Sequence, residues 1–270
     1  MRKVIPCLAA LLMMIGAGPL AAQGRVVCTL AVEVGSSAPL IRDGTCDERI
    51  SAASTFKIAI SLMGFDSGIF TAPDAPEWPF EEGYADWNPK WRQATTPASW
   101  MRDSVVWYSQ QATMRLGAER FAAYVRGFDY GNRDVSGDSG KNNGLTHAWL
   151  SSSLQISPVE QVAFLTRMIE GQLPVSPDAV AQTRTLMSLG RQPGGWQVYG
   201  KTGTGLPFGP DGALLRGQPF GWYVGWAERD DRIVVFARLM RFDSRPKVSA
   251  GYQARDSLLA DLFGAGVGLN

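Results

Sequence analysis

The stretch Ser51-Ala52-Ala53-Ser54-Thr55-Phe56-Lys57 leads directly into apolar residues that continue to Phe65. These apolar positions are dense enough to predict a largely buried helix over residues 54–65. Residues i and i+3 of a helix share a face, so the Ser54 hydroxyl and the Lys57 amine are expected to approach within hydrogen-bonding range. A serine becomes a good nucleophile when a base removes its proton, and a lysine is that base only when neutral. Because desolvation lowers the pKa of a lysine, the stretch predicts Ser54 as a nucleophile and Lys57 as its base.

A second motif, Lys201-Thr202-Gly203-Thr204-Gly205, follows a strand-like run over residues 196–201. A strand that ends in Lys-Thr-Gly offers a cation, a hydroxyl and a backbone that a flat substrate can approach closely. Taken singly, the first motif also fits a helix cap with a surface lysine, and the second fits an ordinary glycine-rich turn. As a pair, they match the motifs of β-lactamases and penicillin-binding proteins.

The spacing of apolar residues in the rest of the chain predicts an α+β fold. Strands near both ends can join one antiparallel sheet flanked by helices, while the middle of the chain forms an inserted helical lobe. The active site is then expected in the cleft between the lobes. The predicted sheet lobe covers about residues 23–55 and 190–270, and the helical lobe about residues 56–189. The individual predictions are strands at 26–34, 40–46, 196–201, 221–228 and 233–241, and helices at 107–128, 158–168 and 250–263.

The first 22 residues are typical of a signal peptide. Met1-Arg2-Lys3 carry the only charges before an apolar run that ends at Leu20 and is too short and too interrupted for a membrane span. Removing Arg2 and Lys3 from the 26 basic residues leaves 24 against 25 acidic ones, a formal charge of −1. Neither nucleic acid nor a membrane is therefore an evident partner. We expect one periplasmic catalytic domain over residues 23–270, as a monomer or homodimer.

The mature chain keeps two of the three cysteines, Cys28 and Cys46. Both lie in the predicted N-terminal hairpin of an exported protein, where oxidation is permitted, so we predict a disulfide between them. Two cysteines and the single histidine, His147, are too few ligands for a structural zinc site, and no metal is expected. We interpret His147 as a structural residue.

Two intermediate motifs, Ser104-Val105-Val106 and Tyr130-Gly131-Asn132, complete the pattern together with Ala148-Trp149-Leu150-Ser151-Ser152-Ser153-Leu154. With Ser54 to Lys57, this combination resembles the class D, oxacillinase-type, serine β-lactamases. Related classes and transpeptidases usually have an asparagine where Val106 stands. In order and spacing, the resemblance covers nearly all of the mature chain.

The resemblance implies a role for each matching residue. Ser54 is acylated by the β-lactam carbonyl, and Lys57 carries a carboxyl group taken from carbon dioxide, with no other cofactor. The indole N–H of Trp149 is a donor for that carbamate. The catalytic residues implied are Ser54, Lys57, Ser104 and Lys201, with the backbone N–H groups of Ser54 and Thr204 as oxyanion hole. The carboxylated-lysine pocket consists of Phe56, Val106, Trp149 and Leu150, and the substrate-binding residues are Trp91, Tyr130, Asn132, Thr202, Gly203 and Thr204.

The sequence leaves two parts of the substrate site unassigned, namely the arginine for the substrate carboxylate and the effect of a loop on substrate range. An arginine for the substrate carboxylate cannot be aligned among the four that follow Lys-Thr-Gly. The stretch 206–218 is rich in glycine and proline, and we expect it to form a loop at the cleft rim that affects substrate range. The four candidate arginines are Arg238, Arg241, Arg245 and Arg255.

The sequence thus predicts hydrolysis of β-lactams, including penicillins, oxacillin-type compounds and cephalosporins, and hence resistance to them. One alternative is a penicillin-binding D,D-peptidase, against which Val106 and Trp149 argue. Another is a β-lactam sensor domain that is acylated without turnover. The cleavable signal and the absence of a transducer segment argue against the sensor.

Overall fold

A six-stranded antiparallel sheet, with strand order β2-β1-β8-β7-β6-β5, organises the computed structural model, which describes residues 24–264 and Leu269. The predicted signal peptide over residues 1–22 lies outside the described residues. Strands β3 and β4 form a separate two-stranded sheet. The strands are β1 Gly24–Glu33, β2 Ile41–Gly44, β3 Ile50–Ser51, β4 Gln155–Ile156, β5 Ser188–Arg191, β6 Gln197–Gly205, β7 Phe220–Arg229 and β8 Arg232–Phe242.

Eight helices surround the six-stranded sheet in the described part of the chain. None of them is long and apolar enough to cross a membrane. Short 3-10 turns occupy Ala53–Phe56, Pro89–Trp91 and Pro193–Gly195. The helices are α1 Lys57–Asp66, α2 Pro97–Asp103, α3 Val106–Leu116, α4 Ala118–Gly127, α5 Gly144–His147, α6 Pro158–Ile169, α7 Pro177–Met187 and α8 Ala250–Phe263.

The central strands are buried on both faces, which explains their nearly continuous apolar sequence. Alternate side chains of β7 enter two different cores. Trp222 and Trp226 join the larger core on the side of the helical lobe, whereas Tyr223 and Ala227 join a smaller core closed by α8. The antiparallel sheet with helices on both sides confirms the predicted α+β fold.

Helix α1 is the centre of the helical lobe, since every residue from Lys57 to Phe65 is buried. The predicted helix over 54–65 differs at its start, where a 3-10 turn precedes the α-helix. The predicted helix over 107–128 is broken at Gly117, whose φ of +82° ends α3 and permits a change of direction before α4. Helix α6 packs on β1 and β8 rather than within the helical lobe.

A disulfide joins Cys28 of β1 to Cys46 just beyond β2, as the sequence predicts. The two strands are already paired, with Cys28 opposite Gly44. The bond closes a loop with a sequence separation of 18 residues. A covalent loop of this length restricts the unfolded chain far more than it restricts the paired strands.

We expect the double variant Cys28→Ser/Cys46→Ser to lose about 3 kcal/mol of unfolding free energy, because the unfolded chain regains loop entropy. Guanidinium chloride titration of the mature protein measures this loss. The reduced wild-type protein is the control and should match the double variant. Equal stability of the oxidised and reduced wild type would contradict the prediction.

Candidate active site

The nucleophile candidate Ser54 lies in the 3-10 turn that leads into α1. The preceding residue, Ala53, has a φ of +47°, a left-handed conformation that non-glycine residues rarely adopt. The next residue, Thr55, donates its hydroxyl proton to the carbonyl of Ala52 at 2.6 Å and accepts from Gln161 Nε2 at 2.8 Å. These buried bonds hold the turn against α6 and fix the position of Ser54.

The amine of Lys57, the base candidate, is completely buried and has no hydrogen-bond partner in the described part of the chain. Burial lowers the pKa of Lys57 well below its ordinary value, and the charge of nearby Lys201 lowers it further. The indole N–H of Trp149 is also buried without a partner. The Trp149 ring lies 5.5 Å from that of Phe56, the residue preceding Lys57. Unpaired buried polar groups are costly, and the nitrogens of Lys57 and Trp149 are two such groups in the same core.

The other predicted members of this pocket differ in exposure. Phe56 and Val106 are buried as expected. Leu150 is only half-buried and lines the cleft next to the pocket. The pocket is therefore apolar on its inner side and opens toward the cleft at Leu150.

Ser104 and Lys201 form a direct bridge between the two lobes. Lys201 Nζ donates to Ser104 Oγ at 3.1 Å and to the carbonyl of Thr202 at 3.1 Å. Burial lowers the pKa of Lys201 to about 7, with a smaller contribution from the positive charge of Arg255. Ser104 ends α2 in the left-handed region, with a φ of +58°. This conformation is strained for a serine and lets its hydroxyl meet the lysine of β6.

Gly203 allows β6 to lie directly against the nucleophile turn. A Cβ atom at this position would be 3.2 Å from Thr55 Cγ2 and 3.3 Å from the backbone nitrogen of Ser54. The missing side chain lets the strand itself lie close to Ser54. This role is distinct from the predicted close approach of a substrate at Gly203. Beyond Tyr199, β6 has no pairing with β5, so its outer edge is unpaired over residues 200–205.

A cavity of about 910 Å³ opens beside these residues. Its wall includes Ala53 from the nucleophile turn and Thr204 from the end of β6, so it starts at the edge of the Ser54 site. Clefts of this size accommodate drug-sized ligands. The predicted rim loop also contributes, through Leu206 and Leu214 among others.

The comparisons with known proteins agree with this geometry. The penicillin binding protein transpeptidase domain model matches residues 24–263. Beta-lactamase OXA-9 of Klebsiella pneumoniae is 44% identical over 87% of this chain and 86% of its own, and beta-lactamase OXA-1 of Escherichia coli is 38% identical over 76% and 71%. The crystal structure of the OXA-427 class D beta-lactamase superposes with a TM-score of 0.83 at 46% identity, covering 87% of this chain and 96% of that one. The chain belongs to the class D β-lactamases. It is therefore an enzyme that hydrolyses β-lactams.

Two aromatic residues predicted to contact substrate in this class D enzyme are not among the residues that line the cavity. Tyr130 is fully buried and packs between the rings of Phe56 and Phe164, at 5.1 and 5.0 Å. Trp91 is 8% exposed, and its indole donates to the carbonyl of Asp103. Core packing therefore holds the Tyr130 ring, and core packing together with the bond to Asp103 holds Trp91, while their contacts with substrate stay predictions.

Trp87 is the aromatic residue on the cleft wall, and the sequence reasoning missed it. Its side chain is 66% exposed and lines the cavity, and its ring lies 6.2 Å from that of Trp91. The available signal was its position between Asp86 and Asn88, in a polar segment without helical or strand periodicity.

Asn132 organises loops instead of facing the cavity. Its side chain donates to the carbonyl of Ser153 at 2.8 Å and accepts from the backbone N–H of Gln155 at 3.0 Å. Thr202 is half-buried and is absent from the cavity wall. His147 does line the cavity, while its Nδ1 is bonded to Thr146 Oγ1 at 2.8 Å.

The structure also separates the four candidate arginines. Arg238 is buried and paired with Asp261, whereas two others form ion pairs on the surface. Arg245 lines the cavity and has no acidic partner among residues 24–264. It is therefore the one of the four placed to meet a substrate anion. The two surface pairs are Arg241 with Glu48 and Arg255 with Asp256.

Ser51, four percent exposed, links the elements that carry the site. Its hydroxyl donates to the carbonyl of Trp149 at 2.8 Å and accepts from the backbone N–H of Ser151 at 2.9 Å. Its carbonyl accepts from the indole of Trp222 in β7 at 3.0 Å. The hydroxyl of Ser151 in turn accepts from the backbone N–H of Leu206, just beyond β6. The lysine pocket and the end of β6 are therefore joined through two serines.

We expect Ser51→Ala to lower the unfolding free energy by about 1–3 kcal/mol, because it leaves a buried carbonyl and a buried N–H unpaired. Denaturant titration measures the loss. The control is Ser67→Ala, whose half-buried hydroxyl only contacts the carbonyl of Gly64 at 3.3 Å. An equal loss of unfolding free energy in Ser51→Ala and Ser67→Ala would contradict the prediction.

Proposed function

We propose that this β-lactamase hydrolyses penicillins, oxacillin-type penicillins and cephalosporins through an acyl-enzyme at Ser54, with an N-carboxylated Lys57 as general base. The observation that carries this proposal is the pair of buried, unpartnered nitrogens, Lys57 Nζ and Trp149 Nε1. Hydrolysis by this route would give resistance to β-lactams. Carbon dioxide is the only accessory molecule required.

The residues of the pocket fit such a modification. Carbon dioxide reacts with a neutral amine, and the lowered pKa of Lys57 favours the neutral form. The carbamate would bring the oxygen acceptors that the donor-only indole of Trp149 lacks. Valine at position 106 keeps this side of the pocket apolar, where an asparagine would add competing hydrogen-bonding groups. When present, the carbamate supplies the general base for both halves of the reaction.

In acylation, Ser54 Oγ attacks the lactam carbonyl carbon, and its proton is removed as the new C–O bond forms. The carbonyl oxygen gains negative charge, which the backbone N–H groups of Ser54 and Thr204 would stabilise, each by about 2.7–4 kcal/mol. The C–N bond of the lactam then breaks, and the ring nitrogen takes a proton from Ser104. Ser104 regains a proton from the base at Lys57, which had taken it from Ser54, so that the base is free for deacylation. Lys201, bonded to Ser104 at 3.1 Å, supports that transfer electrostatically.

In deacylation, a water attacks the ester carbonyl while its proton is removed at Lys57. The ester C–O bond breaks, Ser54 recovers its proton, and the ring-opened acid leaves. Turnover therefore requires the base to act a second time, which distinguishes an enzyme from a β-lactam sensor that stays acylated. Arg245 would receive the ring carboxylate, beside the hydroxyls of Thr204 and Ser249, which are 2.9 Å apart.

We also propose that the enzyme acts in the periplasm after removal of residues 1–22. The Cys28–Cys46 disulfide supports export, because such bonds persist in oxidising compartments.

Turnover of a chromogenic cephalosporin with and without added bicarbonate, followed alongside intact-protein mass spectrometry, tests the proposal. We expect steady turnover that bicarbonate enhances, and a loss of deacylation in Lys57→Ala. A stable, stoichiometric acyl adduct of the wild type without turnover would favour the sensor or the D,D-peptidase. Normal hydrolysis by Lys57→Ala would refute Lys57 as the base.

Replacing Trp149 by Phe should raise the bicarbonate concentration needed for half-maximal activity by about tenfold, since a hydrogen bond to a charged group is lost. The matched control is Trp196→Phe. The Trp196 indole N–H is also buried without a partner, but it lies in the smaller core beneath α8. An equal bicarbonate requirement in the two variants would remove Trp149 from the carbamate site.

A further inference from the structure

Three cationic side chains line the active-site cavity, namely Arg216, Arg245 and Lys247. None of them forms an ion pair within residues 24–264. The acidic residue on the wall, Asp138, accepts from Asn143 Nδ2 at 2.9 Å and lies 3.7 Å from Lys141. The cavity is therefore positively charged, although the formal net charge of the whole chain is only +1.

The cations lie on two loops that leave the same end of the sheet. The first connects β6 to β7 and carries Arg216, and the second connects β8 to α8 and carries Arg245 and Lys247. A hydrogen bond of 3.0 Å from the backbone N–H of Phe242 to the carbonyl of Pro219 ties the loop bases together. The two loops thus face one cavity from adjoining strands.

The β6–β7 loop is folded on itself, which gives Arg216 a defined place. Gly209 donates to the carbonyl of Ala213 at 2.7 Å, and Leu215 donates to the carbonyl of Pro207 at 2.8 Å. These bonds make the loop a small hairpin that ends next to Arg216. The hairpin fixes the backbone position from which the exposed Arg216 side chain starts.

The number of cations exceeds what the common part of a β-lactam requires. The bicyclic nucleus of a penicillin or cephalosporin carries one carboxylate, and Arg245 lines the same cavity as Ser249 and Thr204 and is proposed to meet it. A cavity of about 910 Å³ also has room for an acyl side chain beyond the nucleus. Arg216 and Lys247 are two further cations on the wall of the same cavity.

We propose that Arg216, assisted by Lys247, forms a second anion subsite, which selects β-lactams that carry an additional carboxylate on the acyl side chain. This inference rests on the proposed function and names the substrate class of the same site. Cationic clefts concentrate anionic ligands and improve their capture, so the subsite acts mainly on kcat/KM. Arg216 is exposed and its side chain has no hydrogen-bond or ion-pair partner among residues 24–264, so we expect its replacement to leave the fold intact.

Benzylpenicillin and α-carboxybenzylpenicillin are the appropriate probes because they differ by one side-chain carboxylate. The quantity measured is the ratio of kcat/KM for the dianionic substrate to that for the monoanionic one. We expect Arg216→Gln to lower this ratio by roughly two- to fivefold and Arg216→Glu to lower it further. The value for benzylpenicillin should change by less than about twofold, and added salt should reduce the wild-type ratio.

Arg191→Gln is the matched control, since Arg191 is an exposed arginine on β5 and is absent from the cavity wall. An unchanged ratio in both Arg216 variants would overturn the subsite, as would an equal fall in Arg191→Gln. Failure of the wild type to turn over either penicillin would instead count against the proposed function. The two failures are therefore distinguishable in one set of assays.

Discussion

The burial of the Lys57 amine is the constraint on which the rest of the structure depends. An ammonium group without a partner is very costly in an apolar interior, so the fold favours the neutral amine that the proposed chemistry requires. Burial of this depth is possible because Lys57 begins a helix whose residues are all buried through Phe65. A helix at the surface of the lobe would leave the amine hydrated and charged. The central position of α1 is thus a functional requirement as well as a packing solution.

The residues around this amine are held in conformations that local sequence alone would not favour. Ala53, Ser104 and Ser151 all have positive φ values, between 47° and 58°, without being glycine. Each costs of order 1–3 kcal/mol and persists only where surrounding contacts impose it. Hydrogen bonds to Ser51 secure two of the three, and Lys201 bonds to the hydroxyl of the other. Three of the strained residues of the described chain therefore lie in or beside the elements that carry the site serines.

Much of this arrangement could be predicted from motifs and periodicity. Ser54, Lys57, Ser104 and Lys201 follow from spacing and resemblance, and alternating strands at both ends indicate the α+β fold. The sequence does not distinguish a buried aromatic ring from an exposed one. Tyr130 and Trp91 resemble cleft residues in sequence, but only tertiary packing places them inside and Trp87 outside. Likewise, the four arginines became distinguishable only when their acidic partners, distant in sequence, were seen.

The charges of the cleft and the chemistry of Lys201 are physically coupled. Its pKa of about 7 reflects burial first and the positive charge of Arg255 second, so added positive charge favours the neutral amine. An anionic substrate bound among the cations of the cavity acts in the opposite direction and raises that pKa. By reciprocity, protonated Lys201 strengthens binding of the anion. Binding of an anionic substrate and protonation of Lys201 therefore favour each other, whereas the cations of the cleft alone favour the neutral amine.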